Sequence, residues 1–105
     1  MCAVISVPEQ NVVAVPDLTP RDAAMVEFLA IGAHGVARGA IQSGDDVLVI
    51  GAGPIGVGAA LFAQLDGAAV TLRDASAERL SLASKLLHAL RWRTPVRWRR
   101  RLTTS

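Results

Sequence analysis

VLVIGAGPIGVGAA, Val47 to Ala60, is the stretch on which the fold turns. Val47–Ile50 is a continuous apolar run, the pattern of a buried parallel strand. Gly51, Gly53 and Gly56 follow in the spacing G-x-G-x-x-G. Pro54 suits the first turn of a helix, where its missing N–H costs nothing. An apolar helix is expected from Pro54 to about Asp66, with Gly67 as its stop. Glycine is common, so the spacing alone decides little. Its surroundings carry the weight.

Downstream, Val70–Arg73 reads as a second strand that ends at Asp74. A helix from about Ala77 to Leu90 follows, with Leu80, Leu82, Ala83, Leu86 and Leu87 apolar. Upstream, Thr19 can cap a helix, Pro20 suits its first position, and Asp22 sits where a capping-box acid would. That helix is expected over Pro20–Ala40, with Gly32, Gly35 and Gly39 weakening its second half. Ala23, Ala24, Val26, Leu29 and Ala30 suit a packed face. Val4–Val7 and Val12–Val15 each end at a proline and are expected as strand ends or edge strands. The order helix, strand, helix, strand, helix predicts the α/β class: a βαβ unit of a doubly wound parallel sheet, a partial Rossmann fold.

In this context the three glycines have separate tasks. Gly51 lets the chain turn as it leaves the strand. Gly53 leaves the backbone open to a pyrophosphate, and Gly56 lets the helix come close to the strand. The helix N-terminus then presents free N–H groups and the positive end of its dipole to the phosphates. Asp74 lies 18 residues beyond Gly56, where a carboxylate accepts from adenosine ribose hydroxyls. It repels a 2′-phosphate and so favours NAD over NADP, while Arg73 and Arg79 blur that preference. The motif by itself serves FAD or another adenosine cofactor equally well.

The composition permits one small domain: 105 residues, 51% of them hydrophobic. The net charge of +2 hides a split. Residues 1–90 hold five basic side chains against nine acids, whereas residues 91–105 hold six arginines and no acid. The body therefore gives no hint of nucleic-acid binding, and the basic tail is expected to be disordered. With Trp92 and Trp98 among its arginines, the tail also has a reading as a contact for nucleic acid or an anionic surface. Cys2 is the single cysteine, in keeping with a reducing, cytoplasmic setting. The N-terminus lacks the basic lead of a secretory signal. Val47–Leu65 carries no charge, but four glycines and Pro54 interrupt it, so no membrane span is expected.

The residues resemble a family over about four fifths of the chain. AAMVEFLAIGAHGVARGAIQSGDDVLVIGAGPIGVGAALFAQLDGAAVTLRDASAERLSLA, Ala23 to Ala83, resembles the zinc-type medium-chain alcohol and polyol dehydrogenases. AAMVEFLAIGAH points to their sorbitol- and sugar-acid-like branch. The resemblance implies that Gly51, Gly53 and Gly56 form the pyrophosphate loop and that Pro54 and Ile55 flank the cofactor. It implies Asp74 as the ribose acid. Glu27 matches a glutamate beside the catalytic zinc of this branch, and Phe28 stands where a proline is usual. His34 fits the pattern but reads as a packing or helix-face histidine, and His88 is assigned no role.

On this resemblance, residues 1–17 are a remnant of a catalytic domain, residues 18–90 a partial NAD-binding domain and residues 91–105 the basic tail. The family's reaction passes hydride between a secondary alcohol, often sugar-derived, and NAD, with zinc polarising the oxygen. A catalytic zinc needs about three protein ligands. No cysteine or His-Glu pair here matches that set, so no metal is expected to be held and the chain alone is expected to be inactive. Near Leu86 the pattern gives way to LHALRWRTPVRWRRRLTTS, read as a frameshift or mis-called gene end. The alternatives are a nucleotide-binding module without catalysis, and a chain whose arginine-rich tail governs its contacts. Oligomerisation is open.

Overall fold

A computed structural model describes residues 3–87. The first secondary structure is a single 3-10 turn at Glu9–Asn11. Then come α1 (Pro20–Ala23), α2 (Val26–Arg38), β1 (Asp46–Ile50), α3 (Pro54–Leu65), β2 (Ala69–Arg73) and α4 (Ala77–Leu86). The α/β class and the βαβ unit expected from the sequence are present. β1 and β2 pair in parallel, with Val47 opposite Val70 and Val49 opposite Leu72.

Three expectations need correction. Val4–Val7 and Val12–Val15 form no strand. Their side chains stand open, Val4 at 86% and Val13 at 82% exposure, and no neighbouring strand offers them a ladder. β-propensity reports fit to a half-buried pleated surface, and these runs meet none. The helix expected over Pro20–Ala40 is also stepped. Thr19 caps α1, its hydroxyl accepting from the Asp22 N–H at 3.2 Å and donating to Asp22 Oδ2 at 2.7 Å. At Ala24–Met25 the chain tightens, the Met25 N–H reaching back only three residues to the Asp22 carbonyl, before α2 resumes. The helix expected to run on to Leu90 is described only to Leu86, and His88 and the arginine-rich tail lie outside the described residues.

Helix ends follow the local chemistry. α3 stops in a Schellman motif: the Gly67 N–H donates to the Gln64 carbonyl and the Ala68 N–H to the Ala63 carbonyl, with Gly67 at φ +89°. α2 ends less comfortably. Ala40, not the preceding Gly39, takes the left-handed conformation at φ 49°.

The core lies on one face of the sheet. Val70 and Leu72 are buried there, Val47 and Val49 pack beside them, and Ala60 and Ala63 of α3 close over them at 0% and 1% exposure. Alanine lets α3 approach the strands closely. Val36 of α2, Ala52, Ala83 of α4 and Leu87 complete the cluster. α2 crosses α3 at glycine: a Cβ on Gly32 would come within 2.6 Å of the Ala59 nitrogen and 2.7 Å of the Gly58 carbonyl carbon. Gly32, which weakens a helix by propensity, is thus the residue that allows the crossing. β1 reads in sequence as a buried strand, yet Leu48 is 40% and Ile50 81% exposed. The described helices cover the side facing Val47 and Val49, and the other side stays open.

Candidate functional site

The site forms where β1 meets α3. Gly51 leaves β1 at φ +107°, a conformation closed to most side chains, while its N–H still pairs with the Arg73 carbonyl at 2.7 Å. The chain therefore turns off the end of the sheet without losing the last ladder bond. Gly56 sits directly over this turn. A Cβ there would collide with the Gly51 carbonyl oxygen. The sequence assigned Gly56 to close helix–strand approach, and the structure gives that approach its atom.

Gly53 differs. Its φ of −77° suits any residue, and a Cβ would meet no protein atom within 4 Å. Neither backbone nor packing requires glycine here. It caps α3 without a side-chain bond, and Pro54 follows at the first position. The first-turn amides of Ile55 and Gly56 have no acceptor within the helix. A cleft of about 480 Å³ opens on these groups, walled by Val49, Ile50, Pro54, Ile55 and Ala59. A side chain on Gly53 would project into space that the protein leaves free, the condition a bound pyrophosphate requires.

Asp74 stands beside the loop at the end of β2. Its Oδ2 accepts from the Ala52 N–H at 2.8 Å and its Oδ1 from the Ser76 N–H at 2.7 Å. Arg79 of α4 brings Nη1 to 3.8 Å from Oδ2, its side chain 65% exposed against 8% for the acid. The Ala52 amide, then the Ser76 amide, hold the carboxyl below its ordinary value, and the Arg79 charge adds to this against the cost of desolvation. These contacts favour the ionised form of the acid. The sequence puts Asp74 at the end of the second strand, as the structure has it, but gives no sign of its bond to Ala52, which spans 22 residues. Arg79, expected to blur the cofactor preference, lies in ionic contact with this acid.

The structure does not join Glu27 to this loop. Glu27 is exposed in the first turn of α2 and lines neither described cavity, whereas Phe28 beside it lines a second one. That cavity, about 380 Å³ and almost wholly apolar, lies between Phe28, Leu29, Pro54, Leu61, Leu82 and Leu86. His34 is exposed on α2. Among the described residues no three His, Cys, Asp or Glu side chains come together to hold a metal. The described residues do not fit a catalytic zinc.

A parallel βαβ unit with a glycine turn, an open helix N-terminus and an anchored acid defines the dinucleotide-binding class of α/β domain. Comparison with known proteins agrees. Residues 21–101 match the model of the alanine dehydrogenase/PNT C-terminal domain, and the chain belongs to that family. It is 48% identical over 83 residues to the L-galactonate-5-dehydrogenase of Escherichia coli (strain K12), covering 78% of this chain and 24% of that protein. It is 48% identical over 84 residues to an L-threonine 3-dehydrogenase of Chelativorans sp. (strain BNC1), with 78% and 24% covered. It is 45% identical over 73 residues to the sorbitol dehydrogenase of Homo sapiens, with 68% and 20% covered. These relatives bear out the resemblance to polyol and sugar-acid dehydrogenases. The chain spans about a quarter of the length of the curated relatives it matches. No helix among the described residues is long and apolar enough to cross a membrane.

Proposed function

We propose that this chain is the pyrophosphate- and ribose-binding part of an NAD-dependent alcohol or polyol dehydrogenase. Gly53 carries the reading: a glycine that neither φ nor packing demands, facing a cleft at a helix N-terminus. Gly51 and Gly56 shape the loop, and Pro54 and Ile55 flank the cofactor. Asp74 accepts from the adenosine ribose hydroxyls. Bound NAD supplies the hydride acceptor for a small alcohol or sugar-derived substrate. Asp74 sets the preference for NAD over NADP, and Arg79 beside it limits how strongly a 2′-phosphate is refused.

The described residues supply cofactor binding without a zinc ligand set, and Glu27 is at most a neighbour of one. On this reading the chain binds the dinucleotide without turning over an alcohol. Calorimetric titration with NAD, NADP and adenosine tests this, with a zinc-supplemented dehydrogenase assay alongside. NAD binds, NADP binds less well, and Gly53→Val removes both. An unchanged affinity in Gly53→Val would sink the loop assignment, and alcohol oxidation by the chain alone would overturn the inactive reading.

A further inference from the structure

The structure gives Asp74 more bonds than a ribose acceptor needs. Ala52 lies between Gly51 and Gly53, the two most permissive positions of the loop, and is itself buried at 7% exposure. Its methyl packs in the core cluster, but the glycines on either side leave its peptide plane little constrained. Its N–H donates to Asp74 Oδ2 at 2.8 Å. The other carboxylate oxygen is held by the Ser76 N–H at 2.7 Å, and the Ser76 hydroxyl in turn accepts from the Arg79 N–H at 3.3 Å to cap α4. One side chain therefore ties the β1–α3 loop to the β2–α4 loop.

We propose that Asp74 is a positioning residue for the pyrophosphate loop, holding Ala52 in place so that the amides of Gly53, Ile55 and Gly56 stay aimed at the phosphates. The proposal rests on the dinucleotide reading of the site and adds a second role to the ribose contact. The two roles are compatible. An ionised carboxylate has about four acceptor positions. Two serve Ala52 and Ser76 here, and Arg79 approaches only to 3.8 Å. The remainder is available to ribose hydroxyls. Without the acid, the buried Ala52 N–H loses its partner and the glycines on either side let it drift.

A ligand with phosphates and no ribose separates the two roles. Inorganic pyrophosphate and ADP are titrated into the full chain by NMR, with Asp74→Ala and Asp74→Asn beside the wild type. Amide exchange is followed at Ala52 and, as a folding control, at Val70 and Ala60. Positioning predicts that Asp74→Ala weakens pyrophosphate roughly tenfold, the order of one lost bond to a charged group. Ala52 loses protection while Val70 and Ala60 keep theirs. Asp74→Asn, which retains one acceptor oxygen, recovers part of both. Unchanged pyrophosphate binding with weakened ADP, or no pyrophosphate binding by the wild type, overturns the proposal. So does loss of protection at all three amides in both variants. If the wild type binds neither ADP nor NAD, the dinucleotide reading falls too, and the exchange at Ala52 still reports whether Asp74 anchors the loop.

Discussion

Replacing Gly56 by alanine tests the loop geometry most directly. The new Cβ would lie on the Gly51 carbonyl oxygen and 2.9 Å from the carbonyl carbon, where real Cβ atoms keep at least 3.0 Å. Backbone cannot step aside as a flexible side chain does. Either the first turn of α3 retreats or the Gly51 turn opens, by about an ångström, with the cost of overpacking at about 1–3 kcal/mol. Retreat also loosens Ala60 and Ala63, now 0% and 1% exposed against the sheet. For a domain of this size each kcal/mol lowers the midpoint by roughly 4–8 °C, so a fall of roughly 5–20 °C is expected. Gly53→Ala is the matched control. It meets no atom within 4 Å at a φ of −77°, so its midpoint should stay within about 1 kcal/mol of the wild type. Circular dichroism melts and NAD titrations of both variants give a two-by-two outcome. Gly56→Ala loses stability and binding together, and Gly53→Ala loses binding alone. A stable Gly56→Ala protein, or a Gly53→Ala protein that melts early and still binds, would refute the reasoning.

Three further outcomes are expected. Gly32→Ala pushes a methyl against the backbone of Gly58 and Ala59, and should cost about 1–3 kcal/mol by chemical denaturation. Ala40→Gly relieves a left-handed alanine at the end of α2 and should raise the midpoint by about 0.5–1 kcal/mol equivalent, seen in the same denaturation series. Asp74 has a lowered folded-state pKa, so its contribution is complete above the ordinary value of 3.8 and is lost as pH falls from there through the folded-state value. Melts from pH 7 downward should therefore show a drop that starts near 3.8 and is absent in Asp74→Asn. Identical profiles for the two proteins would count against the anchored carboxylate.

The elements that define the unit were legible because their signals are local. Val47–Ile50 is apolar without a break, Pro54 and Gly67 bracket α3, and Thr19 and Pro20 open α1. Gly51, Gly53, Gly56 and Asp74 stood out for the same reason, as residue types at a spacing that backbone geometry explains. Legibility failed where a neighbour was needed. Val4–Val7 and Val12–Val15 look like strands and pair with nothing described, and β1 looks buried but is covered on one face.

By itself, the sequence determined the βαβ order, the glycine turn and the acid beyond it, since turns, caps and apolar runs are set by a few consecutive residues. Only the tertiary structure decided what each residue meets. It set Gly56 against the Gly51 carbonyl, Gly32 against α3, and Asp74 across 22 residues onto the Ala52 amide. It also left Glu27 apart from the loop. The reason is that a contact between distant segments depends on how α2, α3 and the two strands pack, and no short window of sequence contains that packing.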